Sequence, residues 1–283
     1  MIAARRLGDA DRPALLALLA PVESECTFLV GNALQHGLDD RGGPLHGRWV
    51  GAFDGERLVG VAACFRGPRS VAVACEGHAR AIAPLLFADL EPAPRVIVGT
   101  EARVDELVAA LPAGLRVSQR DDEVLLVLRW ERYRPPADRA AVQLPAARAP
   151  EAAHLIEMLH RERRLPTDAA THLSTAARLA AGGHVFVREH EGRAIAMSCE
   201  TSSTGRYVHV GATACERAHR RKGHAGACVA AVLERARAEA RATAGATLFT
   251  NRDNAGAIAL YEALGFEQAT PWVMAFLERS SRP

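Results

Sequence analysis

The sequence lacks any long hydrophobic run and any concentration of charge of one sign. No apolar stretch reaches the ~18 residues that span a bilayer, and no apolar signal-peptide core follows the opening residues MIAARRLGDADRP. The formal net charge is only +2, whereas a general nucleic-acid binder would show a concentrated basic face. These absences predict a cytoplasmic protein with neither a membrane nor a nucleic acid as its partner.

The sequence also lacks the cysteine spacings of metal and disulfide frameworks. C-x-x-C does not occur, and the cysteines are scattered along the chain. Such cysteines are typical of small buried residues in a reducing compartment. We therefore expect no metal and no disulfide framework from the six cysteines, which are Cys26, Cys64, Cys75, Cys199, Cys215 and Cys228.

Length and composition fit a globular protein of two domains. The chain has 283 residues, of which 49% are hydrophobic and 24% charged, and each half is long enough to bury a core. A segment rich in proline and arginine, ERYRPPADRAAVQLPAARAP, covers residues 131–150. It predicts a first domain at 1–132, a linker at 133–140 and a second domain at 141–283.

The two halves predict the same order of elements. Strand-like runs, helix starts and turn signals give β-α-α-β-β-β-α-β-α-β in each half. This indicates an internal duplication of element order rather than of residue identity.

A loop after a strand in the second half has the features of a phosphate site. The apolar run Tyr207–Cys215 leads into Arg220-Arg221-Lys222-Gly223-His224-Ala225, and an alanine-rich helix follows. Free N–H groups at a helix N-terminus and the positive end of its dipole attract anions. Gly223 would allow the backbone to approach a phosphate closely and to adopt angles that a Cβ disfavours.

This loop and a second motif resemble the GNAT superfamily of N-acetyltransferases. The spacing Arg-x-x-Gly-x-Ala is similar to the family's acyl-CoA pyrophosphate loop. Downstream, Asn254 precedes Tyr261 by seven residues, and the run from Tyr261 to Phe266, YEALGF, resembles the family's ending. The resemblance covers roughly residues 140–280. It implies an α+β fold with two GNAT-like domains in tandem, each with a central, mostly antiparallel β-sheet flanked by helices.

The resemblance implies acetyl-CoA as the acyl donor and a set of residues that would hold it. Backbone groups of the loop would bind the pyrophosphate, nearby arginine and lysine would add charge, and main-chain groups at the end of the preceding strand would pair with the pantetheine arm. The implied set is Thr213, Ala214, Cys215, Arg220, Arg221, Lys222, Gly223, His224, Ala225, Gly226, Asn254 and Tyr261. Asn254 is equally suited to cap the helix that follows it.

The same resemblance gives Tyr261 the role of general acid toward the departing thiolate, although an aromatic packed between helix and sheet is the alternative. The base is less defined: Glu200 and His209 lie on flanking strands, Glu216 lies at the loop entry, and a water chain needs no protein base. His209 has the most suitable ordinary pKa. No Cys-His-Asp pattern supports an acyl-cysteine route through Cys215.

In the first half, the run Ser70–Cys75 leads straight to a helix without such a loop, and the acid Glu76 stands where a phosphate would lie. The last helix of this half, Glu101–Leu111, has no asparagine or tyrosine at the matching places. The first half resembles a degenerate GNAT domain, with an unrelated α+β cap as the alternative. We therefore expect an N-acetyltransferase that moves acetyl from acetyl-CoA to a primary amine, on a small molecule or a peptide, by direct attack. The competing hypothesis is an acetyl-CoA-binding regulatory or sensor protein without turnover. A homodimer is compatible with either.

Overall fold

The computed structural model describes residues 2–67, 70–74, 78–89, 93–165 and 167–280, with the side chains of 70–74 excepted. Its first ten elements are β1 (Ile2–Arg6), α1 (Arg12–Leu19), α2 (Thr27–His36), β2 (Gly47–Asp54), β3 (Arg57–Phe65), β4 (Ser70–Ala74), α3 (Ala79–Phe87), β5 (Val96–Thr100), α4 (Glu101–Val108) and β6 (Leu115–Arg129).

The next ten elements repeat that order. They are β7 (Val142–Gln143), α5 (Ala149–Glu162), α6 (Ala169–Ala181), β8 (Val185–His190), β9 (Arg193–Ser203), β10 (Gly205–Cys215), α7 (His224–Ala238), β11 (Ala242–Asn251), α8 (Ala255–Ala263) and β12 (Glu267–Arg279). The predicted duplication of element order is confirmed.

The chain folds into two compact units, each of which is made of segments that are not contiguous in the sequence. Unit 1 comprises the chain up to Leu125, together with Phe249–Asn254 and the segment from Gln268 onward. Unit 2 comprises Leu126–Leu248 and Ala255–Glu267. These bounds differ from the predicted domains 1–132 and 141–283, because the last strand of the second half, β12, lies almost entirely in unit 1.

Unit 1 places its strands in the order β1-β2-β3-β4-β5-β12-β6, with β6 belonging to it up to Leu125. From β1 to β12 in this order, neighbours are antiparallel except β4 and β5, which are parallel. The C-terminal strand β12 pairs with β5 from Trp272 opposite Thr100 to Phe276 opposite Val96. Its apolar side chains join the core: Val273 is fully buried in one cluster with Ile82 and Ile97. The pairing of β12 with the strands of unit 1 is therefore stabilised by buried apolar surface.

Unit 2 repeats the arrangement with the order β11-β10-β9-β8-β7. The crossover strands β10 and β11 are parallel, and the other neighbours are antiparallel. Strand β9 is buried almost continuously, because helices cover both of its faces. Helices α5 and α6 pack on one face through Leu155, Ile156 and Leu179, and the long helix α7 also contacts β9. The predicted α+β fold with mostly antiparallel pairing is confirmed.

Two further findings concern predicted absences. No helix in the described parts of the chain has the length and apolarity needed to cross a membrane. Within those same parts, no cluster of three or more histidine, cysteine or acidic side chains is arranged to hold a metal ion. The described cysteines carry free thiols, and Cys75 lies outside the described residues.

Candidate active site

The end of β10 separates from β11. Pairing of the two parallel strands ends with His209 opposite Thr247, whereas β10 continues to Cys215. Over this last stretch its pairing with β9 shifts between Gly211 and Ala214, and Ala212 has a positive φ of 48°, which is uncommon for a residue with a Cβ. A β-bulge therefore lies where the outer edge of β10 is free of β11. An unpaired edge can accept an extended ligand as an added strand.

The predicted phosphate loop forms the start of α7. Gly223 is the N-cap in the left-handed region, with φ of 83°, and Arg221 also has a positive φ, of 61°. The helix runs for 15 residues, so its first N–H groups and its dipole face the loop. A Cβ built on Gly223 or on Gly226 would meet no heavy atom within 4 Å. The space in front of the helix N-terminus is open, and a pyrophosphate fits the groups that line it.

The cations of the loop differ in how they are held. The Nε of Arg220 donates to the backbone oxygen of Cys215 at 2.9 Å, and its NH2 donates to both carboxylate oxygens of Glu162 at 2.6 and 2.7 Å. Arg220 thus fastens the loop to the end of β10 and to α5, and its charge is paired. Lys222 and Arg221 are exposed, with Lys222 Nζ 3.5 Å from the carbonyl oxygen of Ala218. Lys222 and Arg221 are therefore the loop cations best placed to meet a ligand.

Two residues beside the loop have altered acidity. His224, the first residue of α7, is half-buried, and burial lowers the pKa of its imidazole. Glu216 forms an ion pair with Arg193, and the hydrogen bonds from that guanidinium hold the pKa of the Glu216 carboxyl below its ordinary value. The Glu216 side chain is only 15% exposed and is already paired.

Tyr261 is brought to the end of β10. It lies on α8, is 6% exposed, and its ring meets Phe266 edge-on at 5.9 Å between centroids. Burial raises the pKa of the phenol, while a hydrogen bond with Thr213 acts in the opposite direction. The Oγ1 of Thr213 lies in turn 3.0 Å from the Oγ of Ser198. Tyr261 is therefore both packed and hydrogen-bonded, and its role as general acid stays a prediction.

Asn254 directly precedes α8, and it is exposed. Its backbone N–H donates to the carbonyl oxygen of Asn251 at 3.0 Å. The position and exposure of Asn254 suit a residue at the start of a helix. Its contact with the acyl-CoA arm stays a prediction.

The two candidate bases lie in different surroundings. Glu200 is 5% exposed, forms an ion pair with Arg241, and has an oxygen 3.7 Å from the Nδ1 of His184. Burial acts to raise the pKa of Glu200, but these two partners outweigh it and the pKa is lower than usual. His209 donates to or accepts from Thr247 Oγ1 at 3.0 Å through Nδ1. Burial lowers the pKa of His209 to about 4.

Cys215 does not have the surroundings of a reactive thiolate. It is half-buried, and burial raises the pKa of its thiol, an effect larger than that of the nearby Arg220 charge. A protonated thiol is a poor nucleophile. The backbone of Cys215, by contrast, anchors the loop through Arg220.

Sequence patterns had not indicated three of these contributors. Ser198 lies on a neighbouring strand, Glu162 lies 58 positions from its partner Arg220, and an alanine gives no local sign of a bulge at position 212. In the first half, Glu76 falls among residues 75–77, outside the described residues, so the predicted loss of a donor site there stays a prediction.

Comparisons with known proteins agree with this geometry. The family model described as Acetyltransferase (GNAT) family matches residues 150–266, which include the bulged strand, the loop and Tyr261. Among curated proteins none matches the chain.

Three solved structures share the fold over most of the chain. A GNAT-family protein from Novosphingobium aromaticivorans is 21% identical, with a TM-score of 0.60, over 90% of this chain and 97% of its own. A tandem GNAT protein from the clavulanic acid biosynthesis pathway is 17% identical, with a TM-score of 0.59, over 100% of both chains. A GCN5-related N-acetyltransferase from Sphaerobacter thermophilus is 16% identical, with a TM-score of 0.59, over 98% of this chain and 95% of its own. Residues 150–266 therefore form a domain of the acetyltransferase (GNAT) family, in a chain that shares the fold of these proteins along its length.

Proposed function

We propose that unit 2 transfers an acetyl group from acetyl-CoA to a primary amine by direct attack. The observation that carries the proposal is the open, left-handed start of α7 at Gly223, directly after a strand end that is free of β11. An anion site and a free strand edge in succession suit a ligand that has a pyrophosphate at one end and an amide-bearing arm at the other.

Backbone N–H groups from Arg221 to Gly226 would hold the pyrophosphate, with Arg221 and Lys222 adding exposed charge. Exposed cations of this kind contribute ~1 kcal/mol or less each, so the backbone cradle is the larger element. The unpaired edge of Thr213–Cys215 would pair with the pantetheine amides. Bound here, acetyl-CoA supplies an activated thioester carbonyl.

Tyr261 would act as the general acid. Its raised pKa keeps the phenol protonated near neutral pH, so that it can donate its proton to the departing thiolate. For the base, His209 is the better of the two predicted residues. Its imidazole is uncharged above pH about 4, whereas the carboxylate of Glu200 is engaged with Arg241.

One observation favours the second candidate, an acetyl-CoA sensor without turnover. Both predicted bases are constrained: Glu200 by its ion pair and His209 by a pKa of about 4, far below that of an amine. A sensor would retain the donor site and need neither residue.

Calorimetry and turnover assays separate the two candidates. Titration with acetyl-CoA is followed by thiol-release assays over a panel of primary amines, including amino acids, polyamines and lysine peptides. Binding with amine-dependent thiol release supports acetyl transfer. Binding without release for any amine supports the sensor, and failure to bind acetyl-CoA contradicts both.

We further propose that unit 1 is a repeat without a donor site. Its support is the sequence of the first half, which has no Arg-x-x-Gly-x-Ala spacing between the run Ser70–Cys75 and the helix that follows, and neither asparagine nor tyrosine in Glu101–Leu111. The same calorimetric titration tests this, since one acetyl-CoA per chain is expected. A stoichiometry of two would contradict it.

A further inference from the structure

The hydroxyl groups of Thr213 and Ser198 form a polar pair inside unit 2 that the proposed chemistry does not yet use. Ser198 is fully buried at 0% exposure, and its Oγ lies 3.0 Å from Thr213 Oγ1. A buried hydroxyl pair of this kind is costly unless each member is hydrogen-bonded. Thr213 meets that need by bonding also to the phenol of Tyr261.

The backbone explains why these three side chains meet. Ala214 packs into the core that α5 and α6 form with the sheet. Neighbouring residues of a strand point to opposite faces, so Thr213 faces the other side of β10. The same holds on β9, where Met197 and Cys199 join that core and Ser198 between them faces away from it. The bulge at Ala212 precedes Thr213 by one residue and sets its direction.

We propose that Ser198 and Thr213 position the Tyr261 hydroxyl for proton donation, with Ser198 donating to Thr213 and Thr213 donating to the phenol oxygen. A phenol oxygen that accepts from Thr213 keeps its own O–H free to point elsewhere. Thr213 is thus a positioning residue, and Tyr261 remains the group that touches the reacting atoms. This inference rests on the proposed acetyl transfer.

The amine nitrogen forms a bond to the thioester carbonyl carbon, and the carbon–sulfur bond breaks with its electron pair leaving on sulfur. Tyr261 gives its proton to that sulfur and becomes a phenolate, which the Thr213 hydroxyl stabilises by donation. The proton lost from the amine nitrogen is taken up by His209 or by water, and solvent returns one proton to the phenolate. Arg163 is the other group whose charge acts on Tyr261, and it also favours the phenolate.

The test combines turnover with direct titration of the phenol. The chain has three tyrosines, so ¹³Cζ-tyrosine NMR resolves Tyr261 once Tyr261→Phe assigns its signal. In Thr213→Val we expect the pKa of Tyr261 to rise and kcat to fall about ten- to hundredfold, the range for losing one hydrogen bond to a charged group. The Kd for acetyl-CoA should stay within a few-fold, because the backbone of Thr213 is unchanged.

Matched variants distinguish positioning from a general loss of structure. Thr213→Ser keeps the hydroxyl and should restore both the pKa and kcat, and Ser198→Ala should change both in the direction of Thr213→Val by a smaller amount. Thr201→Val is the control, since its hydroxyl lies on β9 but bonds the carbonyl oxygen of His209. It should leave the pKa of Tyr261 unchanged.

Two results would overturn the inference, and they differ from each other. An unchanged Tyr261 pKa in Thr213→Val contradicts the positioning, whether or not the protein turns over. Absence of amine-dependent thiol release by the unaltered protein contradicts the acetyl transfer on which the inference rests, and it does so before any variant is made.

Discussion

Replacement of Gly223 by alanine gives the sharpest test of the proposed donor site. Gly223 has φ of 83° and ψ of −6°, a conformation that costs a residue with a Cβ about 1–2 kcal/mol. A Cβ at this position would meet no protein atom within 4 Å, so the substitution creates no clash within the protein. The new methyl group would instead occupy the open space in front of the helix N-terminus.

The expected loss of affinity follows from what that space accommodates. If a phosphate is held back from the backbone, one or two charge-assisted hydrogen bonds are weakened, each with a contribution of about 1.5–3 kcal/mol. That corresponds to an acetyl-CoA Kd about ten- to hundredfold higher. Gly223→Glu adds a negative charge at the same point and should abolish binding while leaving the fold intact.

Gly205→Ala is a matched control for the backbone strain. Gly205 lies in the same unit, has φ of 84°, and its added Cβ would likewise meet nothing within 4 Å. Both alanine variants should lower the melting temperature by a few degrees, but only Gly223→Ala should weaken acetyl-CoA binding in calorimetry. Equal affinity in the two variants, or unaltered affinity in Gly223→Glu, would refute the assignment of the loop.

Three further predictions concern single side chains. Tyr261→Phe should lower kcat about 10²–10⁴-fold in the thiol-release assay with little change in the Kd for acetyl-CoA; an unchanged kcat would show that the phenol is not the acid. His209 has a pKa of about 4 in the folded protein and 6.5 ordinarily, so between these values the unfolded chain binds the proton more tightly and stability falls as the pH falls. From pH 7 to 5 this lowers the free energy of unfolding by about 2 kcal/mol. Urea unfolding at the two pH values should measure this decrease in the unaltered protein and not in His209→Asn. An equal decrease in both proteins would contradict the prediction. Cys215→Ala should keep turnover within a few-fold, because burial raises the pKa of this thiol; complete loss of thiol release would instead favour an acyl-cysteine route.

The sequence by itself determined the order of the elements and the place of the glycine-bearing loop before α7. Both depend on short-range signals: apolar periodicity, turn residues, and a glycine in a basic loop before a helix. The strand from Tyr207 to Cys215, the glycine N-cap and the helix after it are all contiguous in the chain. Local preferences therefore suffice to predict them.

Only the tertiary structure decided which groups are available and where the last strands lie. Burial and ion pairing are set by residues far apart in sequence. The candidate bases Glu200 and Glu216 are engaged by Arg241 and Arg193, and the sequence alone does not show either ion pair. The position of β12 in unit 1 likewise depends on which hydrophobic core its apolar side chains pack into. A strand's alternation shows that it has an apolar face but does not identify the partner strand.

The same distinction applies to Tyr261. The sequence placed a tyrosine seven residues after Asn254, and its spacing implied a role. Its hydrogen bond to Thr213, and through it the contact with Ser198, exists because a bulge at Ala212 turns one strand toward a helix that follows much later in the chain. Long-range packing of this kind leaves no pattern in the local sequence.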